Sequence, residues 1–88
     1  METRVAVIGI IVEDAESVEE LNAILHEFGD FIIGRMGVPY RARDINVISV
    51  AVDASMDVIS SLAGKIGNLE GVSCKTAYSH VITKGSEE

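Results

Sequence analysis

The chain has 88 residues, 48% of them hydrophobic, with fourteen acids against seven Lys and Arg and a net charge of −7. One domain fits that length, disorder is excluded by the apolar fraction, and the acidity opposes direct nucleic-acid binding. A single cysteine, Cys74, excludes an intramolecular disulfide and Cys-rich metal motifs.

No apolar run approaches the roughly 18 residues of a membrane span. Because the first strand starts almost at Met1, the sequence predicts no leader peptide and a cytoplasmic protein.

Arg4–Val12 is β-branched at six of nine positions and predicts a central strand buried on both faces. Ser17 followed by Glu20 fits a capping box. Val18, Leu21, Ile24, Leu25 and Phe28 then form one apolar stripe, giving a helix over 17–28. Gly29 is placed to end it in the left-handed conformation.

Asp30–Val38 reads as a second strand. Its glycines Gly34 and Gly37, and Pro39 just after it, suit an edge. Pro39–Asp44 is an Arg-rich turn, and Ile45–Asp53 a second central strand. A second helix starts at Ser55 or Asp57, carries Ile59, Leu62, Ala63 and Ile66, and stops near Gly67. Leu69 closes the core beneath the following turn. Gly71–Tyr78 is the last strand, and Thr83–Glu88 a frayed tail, so the domain occupies residues 1–82.

The halves repeat at an offset of forty: Val7, Ile8, Val12 and Val18 match Val47, Ile48, Val52 and Val58. This order predicts an α+β, ferredoxin-like βαββαβ sandwich. Its antiparallel sheet has the order 4-1-3-2, with both helices on one face. Both alternating sets of the first strand are apolar: Val5, Val7 and Ile11 against Ala6, Ile8 and Ile10. A lone chain would leave one set in water, which predicts a homo-oligomer, dimer or tetramer, built through the open sheet face, an edge strand, or both.

Arg35, Arg41 and Arg43 gather three of the seven cations within nine residues. They read either as an anion site near the end of the second strand, or as a solvated turn pairing with a neighbouring subunit's acids. Gly64-Lys65-Ile66-Gly67 is not a phosphate loop: Ile59 stands where a Gly is needed and Ile66 where Ser or Thr is needed. Close packing and helix termination explain Gly64 and Gly67. His26, Cys74 and His80 are the soft metal-ligand candidates. In a continuous strand Cys74 and His80 would lie about 20 Å apart, so no metal site is expected within one chain. No nucleophile has a base beside it, and no catalytic residue or cofactor is expected.

"RVAVIGIIVED" (Arg4–Asp14) and "LHEFGDFIIGRMGVPYR" (Leu25–Arg41) resemble the regulator family of the iron-only hydrogenase system. "LAGKIGNLEGVSCKT" (Leu62–Thr76) resembles that family's second signature. The resemblance covers about residues 3–79. It implies a stand-alone ferredoxin-like domain, similar in fold to ACT domains and to the ligand-binding half of nickel-responsive repressors. It also implies a regulatory or accessory role, with Gly34, Arg35, Gly37, Gly64, Lys65, Gly67, Lys75 and Thr76 as ligand-binding residues, to which the basic cluster adds Arg41.

The chain lacks the repressors' DNA-binding head and their histidine-rich ligand set. Its acidic turn Glu13-Asp14-Ala15-Glu16 also replaces the glycine-containing turn of amino-acid-binding ACT domains, and an anionic carboxylate is repelled there. Three roles follow: an oligomeric module sensing a small molecule or protein partner, an accessory protein docking on a maturation enzyme, or a small dimeric enzyme using His26 or His80.

Overall fold

A computed structural model describes residues 2–83. Strand β1 (Thr3–Val12) leads through a 3-10 turn (Ala15–Ser17) into helix α1 (Val18–Glu27). A second 3-10 turn (Gly29–Phe31) precedes β2 (Ile32–Tyr40) and β3 (Ile45–Ala54), and α2 (Met56–Gly67) and β4 (Val72–Thr83) complete the chain. The strands form one antiparallel sheet in the order β2-β3-β1-β4. This is the expected 4-1-3-2 order, with the β-branched runs in the centre and the Gly/Pro strand at an edge.

The core lies between the sheet and the two helices. Ala6, Ile8, Ile10 and Val12 of β1 and Ile48, Val50 and Val52 of β3 are buried against Leu21, Leu25, Ile59, Leu62 and Ile66. Each of the buried Ile, Leu and Val side chains contributes about 1.5–3 kcal/mol by leaving water. The forty-residue repeat is structural. Val7 and Val47 share the open face, Ile8 and Ile48 are buried, and Val18 and Val58 are half-buried against the core.

Several local expectations are corrected. In the single chain β1 is buried on one face only, with Val5 and Val7 each 41% exposed. Ser17 sits at the α1 N-cap but forms no capping box. Its backbone is helical rather than extended, as a cap requires, and its hydroxyl donates instead to the Glu70 carbonyl at 2.6 Å. Asp14 caps the preceding turn, accepting from the Glu16 N–H at 3.0 Å.

Gly29 does not take a left-handed conformation; it opens the 3-10 turn, in which the Phe31 N–H reaches the Phe28 carbonyl. That turn absorbs Asp30 and Phe31, so β2 starts at Ile32. It continues through Pro39 because an edge strand tolerates a residue without an N–H. Ser55, not Asp57, caps α2 by accepting from the Val58 N–H at 3.3 Å. The helix includes Gly67 and closes on Asn68. Gly71 precedes β4, which extends through Thr83, and residues 84–88 of the expected tail lie outside the described residues.

Candidate functional site

The turn after β1 is the first place to look for a ligand; the Glu13 N–H, the Asp14 carboxylate and the Ser17 hydroxyl are occupied internally, while the Glu13 and Glu16 carboxylates are exposed. The Glu13 N–H donates to the Gly71 carbonyl at 2.7 Å, while the Asp14 carboxylate and the Ser17 hydroxyl have the partners given above. Gly71 makes this closure possible. At φ +67° it turns the α2–β4 loop onto the junction, and a Cβ there would lie 2.6 Å from Cβ of Asp14. Residues 68–71 therefore close over the β1–α1 turn.

The second place is the junction of the two helix ends. The Lys65 ammonium lies 3.2 Å from a Glu27 carboxylate oxygen and 5.5 Å from the centre of the Phe28 ring. Phe28 in turn meets Phe31 at 6.5 Å between centroids. Because this ion pair is exposed, it contributes at most about 1 kcal/mol. Beneath α2, the Cys74 thiol donates to the Ala63 carbonyl at 3.6 Å, and a Cβ on Gly67 would sit 3.9 Å from Sγ.

Burial pushes the Cys74 thiol above its ordinary value. The folded state thus favours the protonated thiol, and the unfolded chain ionises first as pH rises. Stability is full below the ordinary thiol value of about 8.5 and falls above it. Alkylation of folded protein with iodoacetamide should accordingly be slower at neutral pH than that of an unfolded control. Melting of the wild type should fall off more steeply than that of Cys74→Ala above about pH 8.5. Parallel curves would show that burial does not govern this thiol.

The third place is β2 and its turn. Arg35 points to the helix side and donates to Asn22 Oδ1 of α1 at 3.1 Å. Gly37 is on the same side, 3.7 Å from Ile48 if given a Cβ. Arg41 lines a shallow recess of about 80 Å³ with Ala15, Pro39, Tyr40 and Asp44. Arg43 is exposed in the same turn, where its N–H bonds the Tyr40 carbonyl.

The residues singled out in the sequence thus occupy separate regions. Gly64, Lys65 and Gly67 are on α2, and Lys75 and Thr76 on β4. Gly34, Arg35, Gly37 and Arg41 are on β2 or just beyond it. Strands β2 and β4 are the two edges of the sheet, about 14 Å apart. Gly67 approaches β4 at Cys74, whereas the β2 group stays across the sheet. Gly34 and Lys75 face the open side, Arg35, Gly37 and Thr76 the helix side. Gly64 is exposed, and a Cβ there would meet nothing.

His26 and His80 are exposed on α1 and β4. Cys74 and His80 lie on one continuous strand, as expected, but its pairing with β1 shifts register between Tyr78 and Ile82, so a simple two-residue alternation does not carry from Cys74 to His80. Among the described residues no three His, Cys, Asp or Glu side chains are grouped to hold a metal ion, and no helix is long and apolar enough to cross a membrane.

What the sequence pattern did not place is the shape of the open face. Cross-strand partners set it in rows: Gly34, Ala51, Val7 and Ala77; then Met36, Ser49, Gly9 and Lys75; then Val38, Val47, Ile11 and Ser73. A broad depression of about 240 Å³ lies where Gly34, Ser49 and Ala51 leave low ground between Val7 and Met36. The period-two alternation carried the signal for the face, though not for its relief.

Comparison with known proteins agrees with this architecture. The TM1266-like family, described as "Iron-only hydrogenase system regulator, putative", matches residues 4–76. The chain belongs to this family.

The solved structure of the uncharacterized protein TM1266 from Thermotoga maritima is similar at 30% identity and a TM-score of 0.83. The match covers 86% of this chain and 96% of that one. A formyltetrahydrofolate deformylase from Pseudomonas putida KT2440 is similar at 11% identity and a TM-score of 0.60, covering 83% of this chain and 28% of that one. That second likeness concerns the fold alone. No curated protein matches.

Proposed function

We propose that this protein is a non-enzymatic regulatory protein of the iron-only hydrogenase system, acting in the cytoplasm as a homo-oligomer that senses a small molecule or a protein partner. The observation that carries this reading is the family match over residues 4–76. The surface is consistent with it. The Asp14 carboxylate and the Ser17 hydroxyl at the β1–α1 turn are internally paired, and the exposed large apolar side chains include a set on one sheet face, as on a protein-binding surface.

In this reading Arg35, Arg41, Lys65 and Lys75 are the cations offered to a ligand or partner, with Gly34, Gly37, Gly64, Gly67 and Thr76 shaping the backbone around them. Their separation across one chain makes the oligomer the unit that assembles a site.

Native mass spectrometry of protein purified gently from its source cells tests the proposal. An oligomer carrying a defined extra mass, or a protein of the hydrogenase system, is the expected result. A bare monomer, with no ligand and no partner, would overturn it.

A further inference from the structure

We infer that the open sheet face is the self-association surface, and that it meets a second copy of itself about a twofold axis. The inference rests on the oligomeric reading above and adds the surface and the pairing mode.

Four observations favour a second copy as the occupant. The first is apolarity: Val5, Val7, Val38 and Val47 are each 40–52% exposed, and Met36 and Tyr40 66% and 51%. Alternation places all six on the face away from the helices. The second is area. Four strands spaced about 4.8 Å apart, with about nine residues rising 3.4 Å each, project roughly 600 Å² before side-chain relief is added. A standard stable interface takes about 800 Å² of accessible surface per partner.

The third is charge. The regularly paired part of the face carries Asp53 and Lys75, of opposite sign, and is formally neutral in a chain of net charge −7. The exposed acids Glu13, Glu16, Glu19, Glu20, Glu27 and Asp30 belong to the helix layer and its turns. Two copies can therefore meet face to face while most of their repelling charge points outward. A strongly basic or acidic partner would find on the regularly paired part of the face only one charge of the sign it seeks, Asp53 or Lys75.

The fourth is shape. Along β2 the face is high at Met36, Val38 and Tyr40 and low at Gly34, beside Ala51 and Ser49. A twofold axis lying in the face and crossing the strands sets the high end of each copy over the low end of the other. The contact is isologous and closes on itself.

The test compares wild type with Val47→Lys, Ala51→Lys and the control Ser60→Lys, which lies on the exposed side of α2. Native mass spectrometry at micromolar concentration gives the masses, and circular dichroism with a cooperative melt checks folding. Wild type and Ser60→Lys should be oligomers with the same number of subunits. The two face variants should fall to a smaller species, with a dissociation constant about a hundredfold higher. If Val47→Lys fails to fold, Ser49→Lys, at a half-buried polar position, takes its place. An oligomer unchanged by the face variants would overturn this surface and leave the oligomeric reading standing. A monomeric wild type would remove both.

Discussion

Gly71→Ala will lower the stability of the folded chain by about 2–4 kcal/mol, the sum of a left-handed backbone for an L-residue and an overpacked contact. The contact is the decisive part, because the new Cβ would sit 2.6 Å from Cβ of Asp14 and 3.1 Å from its backbone nitrogen. No rotamer change relieves it, so the loop must move. Movement breaks the Glu13–Gly71 backbone bond and the Ser17–Glu70 bond, which join the two halves of the βαββαβ repeat. In a domain this size the loss corresponds to roughly 10–30 °C in melting temperature. Gly29→Ala is the matched control: it is also a glycine, outside the open face, but open space surrounds its Cβ position and its φ is not positive. Equal melting temperatures for the two variants would show that the loop is not held by this approach.

The second large effect separates neighbours in β1. Ile8 is fully buried against the helices, while Val7 is 41% exposed on the other face. Ile8→Ala should cost about 2–5 kcal/mol, since the close-packed layer cannot collapse fully into the cavity. A small domain has about 5–15 kcal/mol in all, so this variant approaches the unfolding threshold. Val7→Ala should change the stability of the isolated chain by no more than about 0.5 kcal/mol. Its larger effect belongs to association, and appears as a weaker dependence of the melt on protein concentration. Denaturant titration at two protein concentrations reads both terms. Equal losses at the two positions would mean that β1 is covered on both sides within one chain.

The topology was legible because each of its signals is local and redundant. Six β-branched residues in Arg4–Val12, the glycines and proline of β2, and the three-and-four spacing of Leu21, Leu25, Ile59 and Leu62 all point to the same arrangement. The misread details depend on contacts distant in sequence. Ser17 and Glu20 have the spacing of a capping box, yet the carbonyl of Glu70, fifty-three residues away, takes the Ser17 hydroxyl. Gly71 looks like the start of a strand because nothing near it in sequence reveals the approach of Asp14. Gly29 was expected to turn left-handed by analogy with helix ends, and a 3-10 turn served instead.

The candidate site residues were legible as types rather than as a place. Lys65 was marked as a signature residue, but its partners Glu27 and Phe28 come from the other helix. Arg35 was marked as a cation within a strand, while its contact with Asn22 needed the crossover of α1. The relief of the open face depends on which small residues stand opposite one another across strands, and register supplies that.

Pro39 has a consequence for the size of any particle this chain builds. Sheets that add strand to strand at their rims grow without a natural end, the route to fibres. The rim of β2 offers poor footing for such growth: Pro39 has no N–H to lend, and Gly34 and Gly37 give a newcomer no side chain to pack against at those two positions. Stacking about a twofold axis instead uses up the surface that drives it. A population limited in that way holds one size as concentration rises, so the number of copies in each particle is fixed by the fold rather than by how much protein is present.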